Sequence, residues 1–252
     1  MTNIFLYKTT KSINMKKIIL SILFCLILAI TYFVLSNLTF QSDSKNRIKG
    51  IDISNSFQGE LNWNALRENK GFVILRAVRK VDTCKTKGVE KFACLVDPNF
   101  IKNWNSLKQH QIVKGAYHIF TKNISAKEQF KNYSEAVKLE KGDLPPFLDV
   151  RDPNCDMDEV FKWLELAKEY YRMTPILYSH YGFYKEYLKK RNNFYPIWLY
   201  LDEGNKMEPS FKNPNCIFWQ YKQNKKISNF QEKVDFNVFL GDSIEFYRLL
   251  KQ

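Results

Sequence analysis

Apolar residues in this chain fall into short runs, and most stretches between them carry helical spacing. Phe72–Val78 (FVILRAV) is apolar enough to be a strand covered on both faces. Ile48–Ser54, Ile112–Phe120, Pro146–Arg151 and Pro175–Ser179 also read as strands. Helices are predicted at Trp63–Asn69 and from Asp97-Pro98, with proline in the first turn, to about His110. Ser125–Leu139 is a third, capped by Ser125 with Glu128 three residues on. Asp156–Tyr171 places Val160, Phe161, Trp163, Leu164 and Ala167 at core spacing, and Tyr181–Lys190 follows as the fifth. The segment holding Cys84 and Cys94 reads as a long polar loop. Beyond residue 190 the pattern changes: Tyr195–Leu201, Ile217–Tyr221 and Lys233–Phe236 are strand-like with no helix between them, and Ser243–Leu250 closes the chain as a helix. Five strand–helix units followed by three strands predict an α/β fold, a TIM-like barrel of eight strands and about five helices, (β/α)5(β)3.

The N-terminal region is different. Ile18–Leu38 is an almost uncharged apolar run of about 20 residues, long enough to cross a bilayer. Lys16-Lys17 abut it, which predicts a cytoplasmic N-terminus and an exported remainder. No small-x-small cleavage pattern follows, so an uncleaved signal anchor is preferred to a removed signal peptide. The expected organisation is a cytoplasmic N-terminus (1–17), a single-pass inner-membrane anchor (18–38), a polar linker (39–47) and a barrel domain (48–252) in the periplasm or outside the cell. Met15 is a more typical start than Met1. Of the net charge of +13, about half lies in residues 1–49, which hold seven Lys/Arg against Asp43 alone. The moderately basic remainder suits a solvated surface or an anionic polymer; no nucleic-acid-binding motif accompanies it.

Export gives the cysteines meaning. Cys84, Cys94, Cys155 and Cys216 are an even set in an oxidising compartment, and Cys84 with Cys94 and Cys155 with Cys216 are candidate pairs, other pairings remaining open. Zinc is disfavoured, since there is no CxxC and the three histidines are not clustered with cysteines.

Barrels of this kind keep their chemistry at the C-terminal strand ends. Those ends carry Asp52, Arg79, Tyr117 with His118, Asp149 with Arg151, Tyr178, Trp198, Gln220 with Tyr221, and Asp235. Three carboxylates among aromatic rings suit a sugar cleft, where rings stack on C–H surfaces and acids bond hydroxyls. Strand alternation puts Asp149 and Arg151 on one face and Asp152 on the other.

These residues, in this order, resemble the glycoside hydrolase family 25 lysozymes (muramidases) over about residues 48–240. The resemblance rests on Gly50-Ile51-Asp52-Ile53-Ser54 with Gln58-Gly59 and Trp63, and on Val96-Asp97-Pro98-Asn99-Phe100 with Asn103-Trp104. Gly115-Ala116-Tyr117-His118, Leu144-Pro145-Pro146 leading to Asp149, Phe218-Trp219-Gln220-Tyr221 and Val234-Asp235-Phe236-Asn237 complete it. It implies a barrel whose last three strands are of antiparallel type. It also implies cleavage of the β-1,4 bond from N-acetylmuramic acid to N-acetylglucosamine in peptidoglycan, with no metal or cofactor.

Two departures bear on activity. The family's central Asp-x-Glu, whose Glu donates the proton, here ends in Arg151, and the Glu closing its second strand motif corresponds to Arg79. Asp52, Asp149 and Asp235 remain as the family's acids. Arginine is no acid near neutral pH. Asp152 would substitute only by turning inward. The expected function is therefore a membrane-anchored peptidoglycan-directed protein with hydrolysis weak or lost, with Tyr117, Tyr178, Trp198, Gln220, Tyr221 and Arg79 as binding residues. The alternative is a catalytically inactive protein that binds wall glycan or a protein partner such as a lysozyme-type toxin. Two inward arginines suit an anionic ligand.

Overall fold

The computed structural model describes residues 19–31, 47–54, 62–69, 71–86, 89–192, 194–202, 204, 215–226 and 233–251. Residues 1–46 and Arg47–Gln252 form separate compact units. In the first, residues 19–31 are helical and exposed, with Cys25 on the surface. Among the described residues no helix is long and apolar enough to cross a membrane. Residues 32–38 of the expected anchor lie outside the described residues, as do 1–17 and Gln58-Gly59.

The second unit is a closed barrel. Its strands are β1 (Lys49–Ile53), β2 (Phe72–Thr86), β3 (Val89–Val96), β4 (Val113–Ile119), β5 (Phe147–Asp149), β6 (Ile176–His180), β7 (Ile197–Tyr200), β8 (Cys216–Lys226) and β9 (Lys233–Phe239). Going round, β1, β2, β4, β5, β6, β7, β8 and β9 follow one another, and β9 returns to β1. Helices α1 (Trp63–Asn69), α2 (Phe100–Gln109), α3 (Ala126–Ala136), α4 (Met157–Tyr171) and α5 (Tyr181–Phe183, continuing as a π-helical turn Tyr184–Leu188) follow the early strands. Helix α6 (Ser243–Leu249) ends the chain on a capping box between Asp242 and Glu245.

Two expectations are corrected by this topology. Only β9 is antiparallel to its barrel neighbours: β7 is parallel to β6, and β8 is parallel to β7. Chain direction, not helix content, sets orientation, and parallel pairing of β7 with β8 requires the chain to cross back between them. The expected polar loop through Cys84 and Cys94 is instead a hairpin, with β2 running past the barrel rim and pairing antiparallel with β3. β-branched and aromatic residues interleaved with the lysines are enough to sustain a ladder there.

Period-2 alternation divides the core. Phe72, Ile74, Tyr117, Phe147, Tyr178, Trp198 and Phe218 fill the barrel, closed at the bottom by Phe246 and Leu249 of α6. Ile51, Ile53, Val73, Leu75, Ala116, Leu148, Leu177 and Leu199 point outward to helix residues including Trp104, Tyr133, Trp163 and Leu164. The aromatic filling requires two glycines. A Cβ on Gly50 would lie 2.3 Å from the Phe72 ring, and one on Gly115 would lie 2.9 Å from Phe147. His118 belongs to the outer layer, fully buried against Trp163 with its Nε2 2.9 Å from Gln129 Oε1.

The proposed Cys155–Cys216 bond is absent. Cys155 follows β5 at the top of the barrel, whereas Cys216 opens β8 at the bottom beside Ile197, so the barrel separates them. In the hairpin, Cys84 stands opposite Lys91 and Cys94 opposite Lys80. The side chains of that candidate pair lie outside the described residues.

Candidate active site

The tops of the strands surround a cleft of about 160 Å³ lined by Asp52, Ser54, Arg76, Tyr117, Ile119, Asp149, Arg151, Tyr178, Trp198, Gln220, Gln223 and Asp235. Each strand delivers its inward residue at the level where the barrel filling ends. Asp52 of β1 stands directly across from Asp235 of β9, and Asp149 of β5 is in register with Tyr178 of β6.

Asp149 is 1% exposed and is gripped side-on by Arg151, whose side chain is 45% exposed. Arg151 Nε donates to Asp149 Oδ1 at 2.9 Å, and Nη2 donates to Oδ2. This is the bidentate geometry that makes arginine–carboxylate pairs strong. Burial pushes the Asp149 carboxyl above the usual range, and the Arg151 bonds pull against it. Burial opposes the charge on Arg151, but its bonds to Asp149 outweigh that and hold it firmly protonated. The guanidinium carbon also lies 5.6 Å from the centre of the Tyr178 ring.

The other two aspartates form a network through amides. Asp52 Oδ1 accepts from Gln220 Nε2 and from Asn237 Nδ2, both at 2.7 Å. Asp235 Oδ1 accepts from the backbone N–H of Asn224 at 2.7 Å. Burial raises Asp52 well above the usual carboxylate range, and the Asp235 charge raises it further, against the two amide bonds. Burial also raises Asp235. Two neighbouring carboxyls in one desolvated site favour sharing a proton. Tyr178 donates to Gln220 Oε1 at 2.7 Å, and the phenols of Tyr117 and Tyr178 are pushed well up by burial, so both stay protonated.

The cleft thus brings together Asp52, Asp149, Asp235, Arg151, Tyr117, Tyr178, Trp198 and Gln220, all read from the sequence. Trp198 is only 1% exposed and forms the floor, its Nε1 donating to Asn237 Oδ1 at 2.8 Å. Three expectations fail. Arg79 is exposed on β2 opposite Leu95, and Arg76 occupies the cleft instead. Alternation from Phe72 and Ile74 leads to Arg76, and a register shift between Arg76 and Val78 then breaks the phase. Tyr221 points outward beside Trp219 and Phe236, because Phe218 and Gln220 take the inward positions. Asp152 is outside the cleft. Its Oδ1 accepts from the backbone N–H and the amide of Asn154 at 2.9 and 3.0 Å, and its Oδ2 lies 3.7 Å from Lys122. Those contacts hold its carboxyl below the usual range, the opposite of what a proton donor needs.

Arg76, Ser54, Gln223 and Asn237 were missed as site residues. Strand alternation from Ile74 and from Asp235 points to Arg76 and Asn237. Gln223 enters only through a register shift after Gln220, which carries no sequence signal. Arg76 is itself held by buried Asp97, with Nε and Nη2 each 3.2 Å from Oδ2. No cluster of three or more His, Cys, Asp or Glu that could hold a metal occurs among the described residues.

Comparison with known proteins agrees with this architecture. The chain is 31% identical over 201 residues to YegX of Escherichia coli (strain K12), covering 77% of this chain and 70% of that protein. A family 25 glycosyl hydrolase from Bacillus anthracis superposes with a TM-score of 0.63 at 26% identity, over 81% of this chain and 94% of that one. The lysozyme of Streptomyces coelicolor shares the fold with a TM-score of 0.67 at 20% identity, over 81% and 97%. Residues 51–230 match the family model for glycosyl hydrolases family 25, and the chain belongs to that family.

Proposed function

We propose that this protein is a peptidoglycan-directed member of its family that holds glycan in the cleft without cutting it by the family's usual route. One observation carries the reading: the position of the proton donor is Arg151, and Arg151 locks Asp149 as an ion pair. Glycoside hydrolysis needs a carboxylic acid to protonate the leaving oxygen. General acid help of this kind contributes about 10²–10⁴ in rate. A charged guanidinium contributes none of it. What remains is a cleft of phenols, amides and carboxylates suited to sugar hydroxyls. Asp52, Asp149 and Asp235 act here as binding groups.

A second reading is favoured by the Asp52–Asp235 pair. Burial raises both carboxyls, the direction a proton donor needs, and weak hydrolysis through that pair would keep the protein an enzyme. Incubation of the full-length protein in detergent with purified peptidoglycan separates the two. Co-sedimentation without new reducing ends is expected; muropeptide release that disappears in Asp149→Asn and in Asp235→Asn would establish the second reading.

For localisation we favour a single-pass inner-membrane anchor with the barrel on the far side of the membrane. The apolar run 18–38 and the preceding Lys16-Lys17 support it. Protease added to spheroplasts should digest the barrel; protection until lysis would reverse the topology.

A further inference from the structure

We infer that the cleft selects glycan whose muramic acid carries a free lactyl carboxylate, with Arg151 and Arg76 as the residues that read it. This rests on the glycan-binding reading above and adds the ligand class. The observation is a pair of arginines in one small cleft, each pinned from behind by a buried aspartate. Arg151 spends Nε and Nη2 on Asp149, which is 1% exposed. Arg76 turns Nε and Nη2 onto one oxygen of Asp97, which is 3% exposed. A guanidinium has five N–H donors in a rigid fork. Toward the described residues, Nη1 of each arginine donates to nothing, and both side chains line the cleft. Fixed guanidinium edges with unspent donors are preorganised for a planar two-oxygen acceptor.

Size and charge narrow the ligand. At about 160 Å³ the cleft is smaller than the roughly 300–1,000 Å³ typical of whole-ligand pockets, so the part of the glycan that reaches the two arginines is a small substituent. The charge of each arginine is balanced by its own aspartate. Attraction is therefore short-ranged hydrogen bonding that rewards a carboxylate placed against the edge, and it does not gather polyanions in general. In peptidoglycan the muramic lactyl group is such a carboxylate only when no stem peptide is attached; with a stem it is an amide. The reaction that must supply this ligand is hydrolysis of that amide, which leaves a denuded strand.

The test uses the full-length protein in detergent and three tetrasaccharides: alternating N-acetylglucosamine and N-acetylmuramic acid with free lactyl carboxylates, the same chain with each carboxyl converted to its methylamide, and chitotetraose. Calorimetry is expected to give binding to the free-carboxylate chain at least about tenfold tighter than to the methylamide or chitotetraose, the size of one charge-assisted hydrogen bond. Arg151→Gln and Arg76→Gln should each shrink that ratio. Equal affinity for all three overturns the inference and leaves glycan binding standing, whereas no binding to any of them overturns the glycan-binding reading itself. A wild-type preference retained in both variants also overturns the assignment to these arginines. The wild-type comparison needs no variant to fold.

Discussion

Arg151 stands two residues beyond Asp149 on the same face of one extended segment and donates to both of its carboxylate oxygens. The pair lines the cleft at the top of the barrel, and Arg151 bears directly on the ionisation of Asp149. Because Asp149 is buried and its partner is half exposed, the two members respond differently to mutation.

Removing the arginine leaves a buried carboxyl without its cation. Arg151→Ala is expected to destabilise the barrel by about 1–3 kcal/mol, below the 3–5 kcal/mol of a fully buried pair because solvent reaches Arg151. Asp149→Asn in the same background should recover most of the loss. Urea unfolding of the single and double variants measures both; additive losses would mean the pair contributes nothing as a unit.

At the opposite end of the barrel, Lys114 is ion-paired with Asp143, each side chain only 5% exposed, and lies 4.7 Å over the Trp104 ring. Lys114→Met should cost about 3–5 kcal/mol, since it strands a buried carboxylate that also accepts from the Glu140 backbone N–H. Lys114→Met with Asp143→Leu should restore much of it. A single variant as stable as wild type in thermal melts would contradict the buried-pair account.

His118 sets an acid sensitivity. Burial lowers its pKa from 6.5 to about 4. Below pH 6.5 the unfolded chain takes up a proton that the folded chain refuses until about pH 4. The unfolded state is then favoured progressively as pH falls through that window, by up to about 3 kcal/mol. The raised carboxyls of Asp52, Asp149 and Asp235 act in the opposite sense, so the comparison is between variants. His118→Gln should be less stable than wild type at pH 7 and lose less stability between pH 7 and pH 4.5. Parallel stability curves for the two proteins would remove His118 as the cause.

Much of this was legible from local pattern. Runs such as Phe72–Val78 declared the parallel strands, and Asp149 and Arg151 were placed on one face by alternation alone. What failed involved phase or distance. Alternation from Phe72 and Ile74 points to Arg76 as the cleft residue, and Arg79 lies where β2 runs on past the rim to pair with β3. Reading Tyr221 with Gln220 as a binding residue overlooks that neighbours on a strand take opposite faces. An even count makes Cys155 and Cys216 candidate partners with other pairings open, and the count says nothing of the barrel between them. The hairpin of β2 and β3 was hidden because interleaved lysines look like a loop until a partner strand is present. Asp52 and Asp235 could be named separately, but their adjacency depends on β9 closing the barrel beside β1.

On the proposed reading, Arg151 is what keeps the cleft from cutting the glycan it binds. The direct measurement is muropeptide release from purified peptidoglycan by the wild-type protein and by Arg151→Glu, scored as new reducing ends at equal protein. Wild type is expected to give no detectable release, and Arg151→Glu a gain of about 10²-fold or more over background, the lower range of general acid help. Release by wild type equal to that of Arg151→Glu would contradict that reading.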